Sequence, residues 1–170
     1  MIRTLIASLV LIPAVSFAAA TKLPIDAQNS VIKWKGSKAF VNDFHTGSVS
    51  IKDGFVMVDG EKLVGGEFNI DMESIKNEDV KDPKNQEKLV GHLKSADFFD
   101  TANHKTAKFV IKKVTSKSAN EATVDGELTV RGKTQPMSMT TSMKKEGKTY
   151  VATGKADFDR TKYDVKYNSQ

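Results

Sequence analysis

The chain has 170 residues, no cysteine, and 26 Lys and Arg against 21 Asp and Glu, which gives a formal net charge of +5. Its lysines are scattered among acidic residues, so the charge does not indicate nucleic-acid binding. Without cysteine, the chain forms neither disulfides nor a lipid-modified N-terminal cysteine. The length and composition favour a single domain that is stabilised by packing.

Residues 1–20 have the pattern of a signal peptide. Arg3 gives a positive start, Leu5–Phe17 is an apolar run of signal-peptide length, and Ala18–Ala20 form an A-x-A-like processing site. Cleavage after Ala18 and cleavage after Ala20 fit equally well, and a retained membrane anchor is the alternative. We therefore expect a mature domain over residues 21–170, located in the periplasm or secreted.

From Val31 onward, apolar and polar residues alternate with the period of two that is typical of β-strands. Turns such as Asp53-Gly54 and Asp59-Gly60 separate the alternating segments. The pattern predicts about eight strands, at residues 31–35, 48–51, 55–58, 63–72, 108–114, 122–130, 136–143 and 149–158. Consecutive hairpins favour an antiparallel meander, whose apolar face closes most economically into a β-barrel. A two-sheet sandwich is the structural alternative.

The segment between the fourth and fifth strands predicts a helix instead. Asp82 is suited to the N-cap position and Pro83 to the first helical position. Leu89 and Leu93 follow at the i, i+4 spacing that places both on one helix face. We expect one short amphipathic helix that ends near Lys94, inserted between strands 4 and 5.

Patterns for catalysis or metal binding are scarce in this sequence. His45, His92 and His104 are far apart and form no zinc-binding motif, and neither G-K-T run, at residues 132–134 and 147–149, completes a phosphate-binding loop. No G-x-S-x-G motif occurs. We therefore expect no catalytic residues, no metal site, no cofactor and no enzymatic activity. A hydrolase or isomerase that uses His45 or His92 with a neighbouring carboxylate is the alternative.

Several segments together resemble the YceI-like family of polyisoprenoid-binding exported proteins. They are residues 26–38, HTGSVSIKDG, GGEFNIDMESI, KLVGHLKSADFFD, GELTVRGKTQPM and FDRTKYDV. The resemblance implies a lipocalin-like antiparallel barrel that holds a long amphiphilic lipid, such as an isoprenoid or isoprenoid quinone, and it is compatible with a homodimer. Members of the family usually continue through a further strand after the last of these segments, so we expect residues 21–170 to lack the final strand; a barrel that closes differently is the alternative.

The inward-facing apolar residues are the candidate lining of the barrel cavity. They are Trp34, Phe68, Ile70, Phe98, Phe99, Phe109, Ile111, Leu128, Met137, Met139 and Phe158. The methionines would give a flexible lining that adapts to methyl-branched chains. The alternative is a barrel whose centre is an ordinary dry core, with the helical insertion binding a protein.

The two ends of the barrel give two further expectations. The adjacent Phe98 and Phe99 are placed to cap the apolar interior at one end, or else to seat the insertion on the barrel wall. In a simple meander, the basic turns around residues 112–117 and 144–148 lie together at one end. We expect weak contact there with an anionic membrane surface, and solvated turns are the alternative.

Overall fold

A computed structural model describes residues 20–37 and 44–167. The predicted signal peptide, residues 1–20, lies outside the described residues except for Ala20. Within the described ranges, no helix is long and apolar enough to cross a membrane.

The described residues form an antiparallel sheet with one helix inserted in it. The strands are β1 (Thr21–Pro24), β2 (Val31–Ser37), β3 (Phe44–Asp59), β4 (Lys62–Asn77), β5 (Thr106–Ser116), β6 (Glu121–Val130), β7 (Lys133–Glu146) and β8 (Thr149–Lys155). Helix α1 (Pro83–Lys94) lies between β4 and β5, and a 3₁₀ turn (Arg160–Tyr163) follows β8. The predicted fold class, with about eight antiparallel strands and a helix between the fourth and fifth, is confirmed.

The sheet curls into a half-barrel with the order β1-β3-β4-β5-β6-β7-β8, in which β2 pairs with β3 beside β1. In the described residues β8 hydrogen-bonds only to β7, so the sheet has an open side between β8 and the first two strands. One hydrogen bond spans this side, because the Tyr150 hydroxyl donates to the Gly60 carbonyl at 2.9 Å. The sequence led us to expect a closed wall, whereas the described strands form a half-barrel.

Strand β3 corrects the predicted strand boundaries. Residues 48–51 and 55–58, predicted as two strands joined by a turn at Asp53-Gly54, are two halves of one strand with a register shift between them. Gly54 is needed for close approach, since a Cβ atom there would lie 2.6 Å from the Glu67 carbonyl oxygen. The additional strand, β1, was not predicted because its four residues are too few to show a period.

Helix α1 begins and ends as the sequence predicts. The Asp82 side chain accepts a hydrogen bond from the Asn85 N–H at 2.8 Å, and Pro83 is the first helical residue. Leu93 is buried and Leu89 is half-buried, so the apolar side of the helix packs on the sheet. After Lys94 the chain enters a turn that carries Phe98 and Phe99.

The core consists of two neighbouring clusters on the same face of the sheet. The first contains the buried residues Met72, Ala107, Phe109, Val124, Leu128, Val130, Tyr163 and Val165. The second contains the buried residues Val49, Ile75 and Leu93. Ile70, Phe98 and Phe99 pack against both clusters and so join them.

Candidate functional site

The centre of the half-barrel is a row of apolar side chains from adjacent strands. Phe68 on β4 is opposite Phe109 on β5, which is opposite Leu128 on β6, so the three side chains point to the same side of the sheet. The rings of Phe68 and Phe109 are 5.5 Å apart. Gly126 makes room for this row, because a Cβ atom there would lie 2.4 Å from Phe109 Cζ.

This row and its neighbours form what we call the apolar face, which is buried at its centre and half-buried around it. Phe109 and Leu128 are buried. The half-buried residues packed around them include Phe68, Ile70, Phe98, Phe99, Ile111, Met137 and Met139. Trp34 is half-buried against the second cluster, over Gly47. The structure thus brings these predicted lining residues together on one side of the sheet.

Phe158 is the predicted lining residue that lies apart from the apolar face. Its side chain is 48% exposed, and its ring meets that of Tyr163 edge-on at 5.6 Å. The predicted strand was too long, because β8 ends at Lys155 and the chain then turns toward the 3₁₀ turn. The Asp159 side chain caps that turn by accepting the Thr161 N–H at 2.9 Å.

Phe98 and Phe99, which we call the aromatic plug, lie where α1 meets the sheet. Their rings are in edge contact at 4.8 Å, and both are half-buried. Since both rings pack against both core clusters, they cover one end of the apolar face and also attach the insertion to the sheet. The sequence left two roles open, capping the apolar interior and seating the insertion on the barrel wall, and this geometry is compatible with both.

Arg131, in the turn between β6 and β7, holds the plug in place. Its guanidinium donates hydrogen bonds to the carbonyls of Ala96 at 2.8 Å and Phe98 at 3.1 Å, and to the Asp164 carbonyl at 2.9 Å. Arg131 has a φ of 51°, a conformation that is uncommon for residues other than glycine. The turn thereby directs one planar donor group at three main-chain carbonyls.

A second arginine fixes the C-terminal segment at the same end. Arg160 donates to the carbonyls of Val165 at 2.6 Å and Tyr167 at 2.9 Å, and its guanidinium carbon lies 5.1 Å from the centre of the Phe98 ring. Tyr163 in this segment is almost fully buried, and burial raises the pKa of its hydroxyl. Tyr163 and Val165 of the segment after β8 are thus part of the core.

A polar cluster lies where β3 begins and the loop before α1 passes it. Asp79 accepts the Thr46 N–H at 2.6 Å, contacts His45 Nδ1 at 2.8 Å and accepts the Asn77 amide at 2.7 Å. The pKa of Asp79 is held well below its usual range, mainly by the hydrogen bond from the Thr46 N–H and next by the hydrogen bond with His45. His45 thus has the neighbouring carboxylate that the enzymatic alternative requires, but this carboxylate already joins the start of β3 to the loop before α1.

The matches to known proteins decide the family. Residues 23–170 match the YceI-like domain. The chain belongs to the YceI-like family. A UPF0312 protein of Vibrio cholerae is 34% identical over 136 residues, which cover 73% of this chain and 68% of that relative. A UPF0312 protein of Pseudomonas putida is 28% identical over 146 residues, which cover 86% of this chain and 73% of that relative.

Two solved structures share the YceI-like fold with this chain. BcnA of Burkholderia cenocepacia has a TM-score of 0.59 at 21% identity, over 79% of this chain and 80% of BcnA. A mutant CJ YceI protein with a monobromobimane guest has a TM-score of 0.56 at 14% identity, over 86% of this chain and 85% of that one. These similarities establish the fold.

In this YceI-like chain, three of the segments that carry the family resemblance meet at the plug. Arg131 of GELTVRGKT donates to carbonyls of HLKSADFFD and of FDRTKYDV. Sequence reasoning missed the roles of Arg131 and Arg160, although both lie inside these segments. For Arg131 the sequence carries no local signal, because its carbonyl partners lie more than thirty residues away along the chain.

The opposite face of the sheet carries a separate hollow of about 460 Å³. It is lined by residues of β1, β3 and β4 that include Lys22, Phe55 and Glu67, and Lys22 Nζ lies 3.7 Å from the centre of the Phe55 ring. None of the predicted lining residues borders it. Across residues 20–37 and 44–167, no group of three His, Asp or Glu side chains is placed to hold a metal ion.

Proposed function

We propose that this protein binds a long-chain isoprenoid or another amphiphilic lipid without chemical change, as a carrier or store. The observation that carries the proposal is the apolar face, whose buried centre is bordered by half-buried apolar side chains of β4, β5 and β7. The YceI-like family and the structural neighbours fit a lipocalin-like binding fold, which supports the proposal.

The energetics favour a long tail over a short one. Burial of hydrocarbon contributes about 0.8 kcal/mol per CH₂ group, so a five-carbon isoprene unit contributes about 4 kcal/mol. Association itself costs about 4–15 kcal/mol, so several units are needed before binding becomes tight. Met137 and Met139, which are flexible and half-buried, suit a methyl-branched chain.

We further propose that the basic turns contact the membrane that supplies the lipid, after export to the periplasm or secretion. The turns after β5 and β7 lie at the same end of the sheet, opposite α1, because both strands run away from that helix. Lys144, Lys145 and Lys148 are exposed there. Changing all three to glutamate should abolish co-sedimentation with anionic vesicles at low salt, and unchanged co-sedimentation would contradict this contact.

Two adjacent positions on β7 provide the direct test of lipid binding. Met139 belongs to the apolar face, whereas Thr140 is exposed on the other side of the same strand. We expect Met139→Lys to weaken binding of a fluorescent isoprenoid at least 10-fold, because the ammonium group would have to be buried under the tail. We expect Thr140→Lys to leave the affinity within twofold of wild type.

The comparison is made by fluorescence titration of both variants, with circular dichroism to verify that each is folded. Equal affinities of the two variants for the isoprenoid would show that the tail does not lie on the apolar face. Turnover of an amphiphile that His45→Ala abolishes would replace the proposal with the enzymatic alternative.

A further inference from the structure

One polar atom at the plug is not explained by the packing of the chain. His92 lies in the last turn of α1, and its Nε2 atom is buried with no hydrogen-bond partner among the described residues. The imidazole ring has the Phe98 ring on one side at 5.7 Å and the Tyr167 ring on another at 4.3 Å, both in edge contact.

A buried nitrogen without a partner destabilises a protein, and native structures contain few such atoms. An apolar side chain at position 92 would pack between Phe98 and Tyr167 without this penalty. The imidazole is therefore not needed for these two ring contacts, and its buried nitrogen is available to a partner from outside the chain.

We infer that His92 Nε2 is the hydrogen-bond partner for the polar end of the bound lipid, and this inference rests on the proposed function. Phe98 contacts His92 and also packs on both core clusters, so only the Phe98 ring separates His92 from the apolar face. A tail on that face would bring its polar end to this place. Tyr167, which is 50% exposed, packs edge-on against the imidazole.

The surroundings of His92 select an uncharged polar end, namely a hydroxyl or a carbonyl. An imidazole nitrogen donates to a carbonyl or accepts from a hydroxyl, depending on its tautomer. A phosphate would need cationic donors as well, but Arg131 and Arg160 at this end already donate to main-chain carbonyls. The class of ligand is thus an isoprenoid alcohol or quinone rather than an isoprenoid phosphate.

The test compares two probes that differ in the polar end, farnesol and the hydrocarbon farnesene, on the wild type and on His92→Leu. We expect His92→Leu to weaken farnesol binding about 5- to 10-fold, the usual effect of losing one hydrogen bond, and to leave farnesene binding within twofold. His92→Gln should restore part of the farnesol affinity, because an amide also hydrogen-bonds. Without ligand, His92→Leu should melt at or above the wild-type temperature.

Two results would overturn the inference. If His92→Leu weakens both probes equally, or neither, His92 acts through shape alone or not at all. If ligand-free His92→Leu melts well below wild type, the nitrogen has a partner within the folded chain. Failure of the wild type to bind either probe would instead overturn the proposed function itself, so the two failures are distinguishable.

Discussion

Arg131 connects three segments that are far apart in the sequence, and its contribution can be measured with one substitution. We expect Arg131→Ala to lower the free energy of unfolding by about 2–3 kcal/mol, because three main-chain carbonyls lose a charged donor. Urea unfolding measures the change. Lys133→Ala, at the start of β7, is the matched control, since its ion pair with Asp164 is exposed and contributes little to stability. Equal effects of the two substitutions would refute the special role of Arg131.

Asp79 makes the stability of the protein depend on pH in acid solution. Its pKa is lower in the folded chain than the ordinary value of 3.8, so its contribution is complete above that value and is lost as the pH falls through the lower folded pKa. The stability difference between wild type and Asp79→Asn should therefore be present at pH 6 and shrink below about pH 4.

Urea unfolding at several pH values checks the Asp79 prediction. Asp97→Asn is the control, because Asp97 is exposed and makes no side-chain hydrogen bond or ion pair within the part of the chain that the structure describes. A stability difference between wild type and Asp79→Asn that grows as the solution becomes more acidic would contradict the expected direction.

At the scale of the elements, two glycines should respond to alanine in opposite directions. Gly126 on β6 lies against Phe109, so an added methyl group would overlap the ring, and we expect a loss of about 1–3 kcal/mol in the free energy of unfolding. Gly91 in α1 has nothing within 4 Å of the added atom, so Gly91→Ala should gain up to about 1 kcal/mol through helix propensity. Thermal unfolding measures both, and a gain at Gly126 would show that the apolar row is looser than described.

The elements that the sequence predicted correctly are those with local signals. Helix α1 was predicted at both ends because its N-cap, its first proline and its leucine spacing lie within a few residues. The single long strand β3 was predicted as two, because the Asp53-Gly54 pair that commonly forms a turn instead allows a close approach to β4. Local sequence does not distinguish these two uses of glycine.

In the candidate site, too, the sequence predicted the features that have a local signal and missed those that depend on distant residues. Alternation was sufficient to place Phe68, Phe109 and Leu128 on one face, since cross-strand partners share a side. It failed for Phe158, which lies beyond the end of β8. It also gave no indication of the Arg131 contacts, because their partners lie more than thirty residues away and depend on how the half-barrel curls.

At the scale of the whole molecule, one end of the half-barrel is occupied by the plug and the other by basic turns, with the apolar face between them. The plug is attached by hydrogen bonds from Arg131 and has the Arg160 guanidinium over the Phe98 ring, whereas the side next to β8 has no neighbouring strand among the described residues. Under the proposed function, the plug would set the limit of the tail at one end of the apolar face.

The central claim is that the apolar face is occupied by a hydrocarbon tail in the functioning protein. Native mass spectrometry of protein purified from its own host, followed by extraction into organic solvent, tests it most directly. We predict a co-purifying hydrocarbon-rich compound that disappears on extraction and is replaced when an isoprenoid alcohol or quinone is added. A protein that carries only its own mass, and that takes up neither an isoprenoid nor a fluorescent lipid, would contradict the claim.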